Sequence, residues 1–308
     1  MLVITGASGL LGANLIVQAH NCGRDVVGLC HRHRINTGDF PIQTVDLTNQ
    51  AAVRSVLASL RPSHVIHCAA ATNVDWCEEH AAEAEAINSD ASGFLSELVS
   101  EIGSRFVYIS TDAVFDGKKG SYSETDKPAP LNVYARSKLR GEQEVLRKNP
   151  SALIVRVNIY GWNAQNKFSL AEWVLAQLAS GKHVPGFTDI HFTPILVNDL
   201  ARVLLAMLDR GLSGLYHAAG SEKISKFEFA RRVALVFDFD SGLIVPTQVA
   251  EVYLQAKRPP DMSLNTEKIC AALGFPMPDV ESGLRRFREL QAAGYPQKLK
   301  SYLYEAQE

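Results

Sequence analysis

"LVITGASGLLGANLIVQAH" (2–20) joins a short apolar run to a helical pattern through three closely spaced glycines. Gly6, Gly9 and Gly12 permit a tight turn, close approach of the backbone to a phosphate, and close packing of the helix against the strand. The N-terminus of the following helix then offers unpaired N–H groups to a pyrophosphate. Because the motif lies between a strand and a helix, we interpret it as a dinucleotide-binding loop rather than as a structural turn.

The first half of the chain continues this alternation of short apolar runs and longer amphipathic stretches. Alternating strands and helices imply βαβ units and a mainly parallel sheet. The apolar runs lack inside–outside alternation, which is typical of strands covered on both faces. We therefore predict an α/β fold built on a Rossmann-like doubly wound parallel sheet. The strand candidates are 2–5, 25–30, 64–69, 105–110 and 152–157, and the helix candidates include 50–60 and 82–103.

The regular alternation fades after about residue 160, where prolines from Pro185 onward divide the chain into shorter pieces. We predict an NADP-binding Rossmann domain over residues 1–160, to which the chain returns around 193–220. Residues 161–308 are predicted to form mainly a smaller C-terminal substrate-binding lobe.

Composition narrows the class of protein. The 308 residues are 46% hydrophobic and carry a net charge of -2 without long charged blocks, which argues against nucleic-acid or membrane-surface partners. No apolar run reaches the roughly 18 residues of a membrane span. The five cysteines are odd in number and lack CxxC spacing, and no signal peptide precedes the first strand, so we expect reduced thiols and a cytoplasmic location. No metal site is predicted.

The stretch "LCHRHR" (29–34) follows the second predicted strand, where an NAD site usually places Asp or Glu to hold the ribose 2′-hydroxyl. This stretch has no acid, and Arg32 is suited to pair with a 2′-phosphate. NADP(H) is therefore favoured over NAD(H), against the alternative of a solvated basic turn. Asp46 lies at the next strand's end, where it can meet the adenine. Small residues in "HCAAAT" (67–72) occupy a ligand-binding strand end, although core packing explains Ala69 and Ala70 nearly as well.

Two stretches place a tyrosine four residues before a lysine: "YARSK" (Tyr134 and Lys138) and "YLQAK" (Tyr253 and Lys257). Such pairs arise readily by chance, so their context must decide between them. The first pair shares one face of a predicted helix, downstream of a predicted strand whose end carries the polar groups of Ser110, Thr111 and Asp112. A lysine beside a tyrosine lowers the pKa of the phenol and prepares it for proton transfer. We expect the first pair to form the active site and the second to lie at the surface or in packing.

Three motifs together resemble the extended short-chain dehydrogenase/reductases: "TGASGLLG" (5–12), "ISTDAVFDG" (109–117) and "YARSK" (134–138). More narrowly, the chain is similar to the dTDP-4-dehydrorhamnose reductase-like family over nearly its whole length. The stretches that match this family's pattern in order are "AAATNVDWCE" (69–78), "SYSETDKPAPLNVYARSKLRGE" (121–142), "FTPILVNDLA" (192–201) and "RPPDMSLNTEKI" (258–269).

The resemblance implies NADPH-dependent reduction of the 4-keto group of a nucleotide-linked 6-deoxysugar. Thr111 would polarise the ketone, Tyr134 would donate the proton, and Lys138 would tune Tyr134 and bind the nicotinamide ribose. The expected substrate contacts are Thr72, Asn73, Asp112, Ala113, Asn158 and Arg258, the last near the nucleotide diphosphate. The expected cofactor contacts are Gly6, Ser8, Gly9, Leu10, Leu11, Gly12, His31, Arg32, His33, Asp46, Leu47, Cys68, Ala69, Ala70, Tyr134 and Lys138.

Two departures from the family pattern widen the choice of substrate. Ala113 stands where the reductases usually have an aromatic residue, and "VRVNIYG" (155–161) lacks their tryptophan. The pocket is therefore expected to be wider, and the identity of the sugar is left open. Dehydration is disfavoured because Ala113 cannot replace the glutamate base of the related dehydratases. Open alternatives are an NAD-dependent nucleotide-sugar epimerase and a non-catalytic NADP-binding regulatory subunit; a homodimer also stays open.

Overall fold

The structure, a computed structural model, describes residues 1–252 and 258–303. Its backbone alternates strands and helices through the first half and becomes less regular in the second. The strands are β1 (Leu2–Thr5), β2 (Val26–Cys30), β3 (Ile42–Thr44), β4 (His64–His67), β5 (Arg105–Thr111), β6 (Leu153–Val157), β7 (Ile159–Tyr160), β8 (Val184–Phe187), β9 (His191–Phe192), β10 (Ile195–Leu196), β11 (Gly214–His217), β12 (Ile224–Ser225) and β13 (Ile244–Thr247).

The helices connect these strands. A π-helical segment, Ala86–Asp90, joins the fourth α-helix to the fifth. The α-helices are α1 (Leu10–Asn21), α2 (Gln50–Leu60), α3 (Val74–Glu79), α4 (Ala81–Glu85), α5 (Ala91–Glu101), α6 (Val133–Lys148), α7 (Leu170–Ala179), α8 (Val197–Asp209), α9 (Lys226–Val236), α10 (Glu267–Leu273), α11 (Val280–Ala292) and α12 (Tyr295–Lys300).

Seven parallel strands form the central sheet in the order β3-β2-β1-β4-β5-β6-β11. Helices cover both faces, with α1 against α8 on one side and α5 against α6 on the other. Val3 and Ile4 belong to separate hydrophobic clusters, because successive side chains of a strand point to opposite faces. The prediction of a doubly wound parallel α/β sheet is confirmed. Strand order reverses between β1 and β4, and ligands of such sheets bind at the carboxyl edge beside this point.

Short strands and helices of the second half pack beside the carboxyl edge of the sheet. Three two-stranded pairs, β10–β7, β12–β9 and β13–β8, frame this part of the molecule. Helix α9 contacts β8, β13, α7 and α11. Ser225 caps α9 by accepting a hydrogen bond from the backbone of Glu228, which fixes where the helix begins. The domain boundaries stay a prediction.

The buried amide of Asn14 ties the first helix to three distant parts of the chain. Its Nδ2 donates to the carbonyl of Trp162 at 2.9 Å. Its Oδ1 accepts from Asn198 Nδ2 at 3.1 Å and from the hydroxyl of Tyr295 at 2.9 Å. The helix after the glycine loop is therefore held by the segment after β7, by α8 and by α12.

Candidate active site

The glycine loop joins β1 to α1 at the carboxyl edge of the sheet. Gly6 has a φ of +65°, and a Cβ there would lie 2.7 Å from the backbone nitrogen of Ala69. A Cβ at Gly12 would collide with the carbonyl oxygen of Gly6. Within the described residues no side chain caps α1, and its first backbone bond runs from Ala13 to Gly9. The N–H groups of residues 10–12, in the first turn of the helix, are therefore available to an acceptor at the glycine turn, which fits the pyrophosphate of a dinucleotide.

The loops after β2 and β3 bring His31, Arg32 and Asp46 together. His31 Nε2 lies 3.9 Å from Asp46 Oδ2, and both side chains are about half exposed. The hydroxyl and backbone N–H of Thr48 bind Asp46 and lower the pKa of its carboxyl, and the charges of His31 and Arg32 act in the same direction. His33 is exposed, like Arg32. An exposed guanidinium at this strand end is suited to bind a 2′-phosphate.

The small residues after β4 lie directly beneath the glycine loop. The backbone N–H of Cys68 donates to Thr5 O at 3.3 Å, and residues 68–70 are half-buried rather than enclosed in the core. Burial raises the pKa of the Cys68 thiol to about 12, so this sulfur stays protonated. Residues 68–70 therefore form a partly open surface beneath the glycine loop, and their contact with a cofactor stays a prediction.

Asn88, in the π-helical segment, is a site residue that the sequence analysis missed. Its Oδ1 accepts from Ala71 N at 2.8 Å, and its Nδ2 donates to Ala71 O at 3.0 Å and to Ser137 Oγ at 2.9 Å. This side chain joins the loop after β4 to α6. No local pattern marks Asn88, because each partner of its side chain lies at least 17 residues away in sequence.

Strand β5 and helix α6 bring Thr111, Tyr134 and Lys138 to one place on the sheet edge. Thr111 is the buried last residue of β5, and its hydroxyl interacts with the Tyr134 phenol. The same hydroxyl donates to Asp112 Oδ1 at 3.1 Å. Lys138 is buried one helical turn beyond Tyr134, and its Nζ donates to the carbonyl of Ile109 at 2.8 Å. The arrangement places a phenol, a hydroxyl and an amine beside the glycine loop.

Helix α6 lies very close to the sheet because it carries Gly141 where it crosses β5. A Cβ at this position would collide with the hydroxyl of Tyr108 and the carbonyl of Asn88. The helix begins at a defined residue because Asn132 Oδ1 accepts a hydrogen bond from Ala135 N at 2.9 Å. The close approach and the fixed start together determine where the side chains of the first two turns lie.

The expected effect of Lys138 on Tyr134 is wrong. Burial raises the pKa of Tyr134 to about 12; the Thr111 interaction opposes this rise and the charge of Asp112 adds to it. Burial also lowers the pKa of Lys138 to about 7, although the carboxylate of Glu142 opposes that change. The spacing of the pair predicted a shared helical face but carried no information about desolvation, which is the largest cause of the shift in the pKa of Tyr134.

A buried ion pair between Arg156 and Glu142 lies next to Lys138, and the sequence analysis did not identify it. Arg156 donates to both carboxylate oxygens of Glu142, at 2.7 and 2.9 Å, and the two side chains are only 3% and 6% exposed. The hydroxyl of Ser110 donates to the same carboxylate. Glu142 lies one turn beyond Lys138 on α6, so this network links β5, α6 and β6 directly behind the reactive groups.

The expected substrate residues Thr72 and Asn73 are exposed at the mouth of the site. Asn73 caps α3, the helix that carries Asp75, and Arg258 Nη2 lies 3.5 Å from Asp75 Oδ1. Lys167 Nζ donates to Thr72 Oγ1 at 3.5 Å from the segment after β7. The structure thus brings Arg258 next to the Thr72 segment although 186 positions separate Arg258 from Thr72 in the numbering.

Asp112 and Asn158 lie together deeper in the site. Asn158 Nδ2 donates to Asp112 Oδ2, while Thr111 holds the other carboxylate oxygen. Burial raises the pKa of Asp112 to about 6, and its hydrogen bonds and the charge of Lys226 oppose the rise. Ala113 follows in a short 3-10 turn and contributes only a methyl group. The end of β5 and the end of β6 therefore present a buried carboxylate beside a small residue.

Lys226, the first residue of α9, is a further group that the sequence analysis did not select. Its Nζ lies 3.4 Å from the centroid of the buried Phe192 ring. Burial lowers the pKa of Lys226 to about 8, and the charge of Asp112 opposes this change. Ser225 marks the helix start in sequence as an N-cap, but no local signal shows that the next side chain faces Asp112.

The remaining expectations concern other parts of the chain. Tyr253 and Lys257, the second tyrosine–lysine pair, lie outside the described residues. In the parts that the structure describes, no three His, Cys, Asp or Glu side chains are grouped to hold a metal. A search of the same residues finds no helix with the length and hydropathy needed to cross a bilayer.

Known proteins similar to this chain include a reductase and a subunit of a methionine adenosyltransferase. The chain is 36% identical over 285 residues to the "Probable low-salt glycan biosynthesis reductase Agl14" of Haloferax volcanii, covering 91% of this chain and 95% of that protein. It is 32% identical over 276 residues to the methionine adenosyltransferase 2 subunit beta of Danio rerio, covering 87% and 83%.

The fold is also similar to that of solved enzymes. A dTDP-4-dehydrorhamnose reductase from Bacillus anthracis, solved in complex with NADP, superposes with a TM-score of 0.81 at 29% identity, over 94% of this chain and 98% of that one. The model of the RmlD substrate binding domain matches residues 1–292. The chain therefore belongs to the RmlD substrate binding domain family, within the extended short-chain dehydrogenase/reductases, and is an NAD(P)-dependent oxidoreductase.

Proposed function

We propose that this chain reduces the 4-keto group of a nucleotide-linked 6-deoxysugar and prefers NADPH to NADH. The observation that carries the proposal is the convergence of Thr111, Tyr134 and Lys138 beside the glycine loop. Similarity to a dTDP-4-dehydrorhamnose reductase and to a glycan biosynthesis reductase supports a nucleotide-sugar ketone as the substrate class.

The chemistry assigned to these side chains is proton delivery to a developing alkoxide. Reduced nicotinamide, when bound, supplies a hydride to C4 of the sugar. The hydroxyl of Thr111 turns from Asp112 to donate a hydrogen bond to the ketone oxygen. Tyr134 then transfers its phenolic proton to that oxygen, which balances the added hydride. Because its pKa is raised to about 12, the phenol holds its proton at neutral pH and serves as the acid.

Cofactor binding is assigned to the loops around β1, β2 and β4. The glycine loop and the first turn of α1 hold the pyrophosphate, and residues 68–70 lie under the nicotinamide half. Arg32 binds the 2′-phosphate of NADPH, and Asp46 lies on the adenine side. Lys138 is placed to bind the nicotinamide ribose, since its ammonium already donates to an oxygen acceptor at this edge.

Substrate binding is assigned to the groups on the other side of the reactive phenol. Asp112 and Asn158 contact the sugar, while Arg258 neutralises the nucleotide diphosphate beyond Thr72 and Asn73. The methyl group of Ala113 leaves room that an aromatic side chain would fill. We therefore propose a sugar pocket wider than that needed for the rhamnose precursor.

The test is a panel of nucleotide-linked 4-keto sugars followed by loss of NADPH absorbance. Wild-type protein should oxidise NADPH with at least one member of the panel. Tyr134→Phe should abolish turnover while leaving NADPH affinity within a few-fold, because the phenol acts on the developing alkoxide. Tyr216→Phe, on the edge strand β11, is the matched control and should retain activity. Equal loss of cofactor binding and rate in Tyr134→Phe would contradict the assignment.

A non-catalytic role is the second candidate, favoured by the 32% identity to a methionine adenosyltransferase subunit. Such a protein would bind NADP tightly and a partner enzyme, yet turn over no member of the panel. An epimerase would instead be recognised by stoichiometric NAD that remains bound through purification. The intact set of Thr111, Tyr134 and Lys138 favours an enzyme over the non-catalytic role. Homodimer formation stays a prediction.

A further inference from the structure

Lys226 is a half-buried cation whose hydrogen-bonding capacity is unused. Within residues 1–252 and 258–303, its Nζ has no hydrogen-bond acceptor and lies over the face of the Phe192 ring, 3.4 Å from the centroid. An ammonium group carries three N–H donors. A cation–π contact with an aromatic face does not replace a hydrogen bond from one of these donors to an acceptor lone pair. A side chain in this state is prepared to bind an acceptor that enters the site.

The backbone holds Lys226 firmly in this orientation. Its N–H donates to the carbonyl of Ile190 at 2.9 Å, and the preceding strand β12 pairs with β9 through Ile224 and Phe192. Ser225 caps the helix that begins at Lys226. The ring below the ammonium is 1% exposed and packs edge-on against Phe229. Lys226 therefore projects from a rigid corner of the second half of the chain.

The group that faces Lys226 across the site is the carboxylate of Asp112. Each charge favours the ionised form of the other, and among the described residues no ion pair or hydrogen bond joins the two side chains. Thr111 and Asn158 each bind one oxygen of Asp112, which leaves further lone pairs free. A donor and an acceptor whose charges act on each other, but which are not bonded to each other, thus lie next to Thr111, the residue assigned to the ketone.

The charges select the kind of substituent that fits this gap. The charges of Asp112 and Lys226 sum to zero, so the pair favours a neutral substituent. A hydroxyl can donate a hydrogen bond to the carboxylate and accept one from the ammonium group. A sugar carboxylate would gain Lys226 but would meet the like charge of Asp112 in a buried site, which is unfavourable. Because the hydroxyl of Thr111, which is assigned to the ketone, lies 3.1 Å from Asp112 Oδ1, the hydroxyl bound here is the one beside the ketone.

We propose that Lys226 determines specificity by binding, together with Asp112, the C3 hydroxyl of the 4-keto-6-deoxysugar. This inference rests on the proposed function, because it takes C4 as the reacting carbon. Of the two carbons next to C4, only C3 carries a hydroxyl in such a sugar. Lys226 is therefore a binding residue that holds the ring in the orientation in which Tyr134 reaches the ketone oxygen.

The test compares dTDP-4-keto-6-deoxyglucose with its 3-deoxy analogue, using NADPH absorbance. Wild-type protein should prefer the hydroxylated substrate by about 10- to 100-fold in kcat/KM, as expected for a hydrogen bond to a charged group. Lys226→Met should lose this preference and keep its kcat/KM on the 3-deoxy analogue within a few-fold. Lys226→Arg should retain part of the preference. Lys182→Met, an exposed lysine, is the control and should match wild type.

Outcomes that overturn the inference differ from those that overturn the proposed function. An equal loss on both substrates in Lys226→Met would indicate a structural role, and an unchanged preference would exclude the hydroxyl contact. If wild-type protein turns over neither compound, the NADP-loaded chain is titrated with dTDP-6-deoxyglucose and its 3-deoxy analogue by calorimetry. The same Lys226-dependent preference in binding then supports the inference alone, and its absence refutes it.

Discussion

Replacing Glu142 by glutamine tests whether the buried ion pair behind the reactive groups stabilises the fold as its geometry implies. The variant leaves the guanidinium of Arg156 buried, at 3% exposure, without a compensating charge. Breaking one side of such a pair costs about 3–5 kcal/mol in unfolding free energy, because the remaining charge stays desolvated. Ser110 also loses its ionised acceptor. We therefore expect Glu142→Gln to lose about 3–5 kcal/mol in urea-induced unfolding.

The same helix provides the control. Glu144 pairs with Arg147 at 2.6 Å, but these side chains are 30% and 60% exposed. Exposed helical pairs contribute about 0.3–0.5 kcal/mol, so Glu144→Gln should change the unfolding free energy by no more than that. Joint replacement of Glu142 and Arg156 by methionine should recover most of the stability. If Glu142→Gln costs no more than Glu144→Gln, the reasoning from burial is refuted.

Glu142 also affects the chemistry through Lys138. Its carboxylate raises the pKa of Lys138, which burial has lowered to about 7. Removing that carboxylate lowers the pKa further, so Lys138 loses its proton at a lower pH. If the ammonium form binds the cofactor, the decline of NADPH affinity with rising pH should begin at lower pH in Glu142→Gln. Titrations of NADPH by fluorescence across pH measure this shift.

Three further predictions concern the cofactor loop and the site. Arg32→Ala should weaken NADPH binding much more than NADH binding, because only NADPH carries the 2′-phosphate, whereas Arg34→Ala should change neither; an unaltered ratio of dissociation constants rules out the assignment. Gly12→Ala should destabilise the fold by about 1–3 kcal/mol, since its Cβ meets a backbone carbonyl, while Gly38→Ala, with no atom within 4 Å, should be neutral or slightly stabilising in thermal unfolding. Asp112 has a pKa raised to about 6, so its carboxylate gains a proton as pH falls through 6, and kcat/KM should drop below that pH; Asp112→Asn should remove this acid limb, and persistence of the limb would point to another group.

The sheet could be predicted from the sequence because its strands are covered on both faces. Runs such as 105–110 and 152–157 read as uninterrupted apolar segments, and the structure forms β5 and β6 there. The edge strands were harder to recognise. Ile42–Thr44 has only three residues, and Gly214–His217 lies in the irregular second half, where nothing local shows that it pairs with β6.

The site was predictable only where neighbours in space are also near in sequence. The spacing of Tyr134 and Lys138 alone predicts that they share a helical face, and both residues lie in the first two turns of α6. Lys226 meets Asp112 only after the whole chain has folded, so no window of sequence contains both. The high pKa of Tyr134 was missed for the same reason, because burial depends on everything packed around the phenol.

The hydrogen bonds of Asn14 imply that cofactor binding and the docking of α12 are thermodynamically coupled, so that each stabilises the other. A dinucleotide that binds only the intact glycine loop stabilises that state by about 2.7 kcal/mol at a hundred times its dissociation constant. Through Asn14, part of this energy resists detachment of Tyr295, more than 280 positions along the chain. Amide protons of α12 should therefore exchange more slowly with solvent deuterium when NADPH is bound.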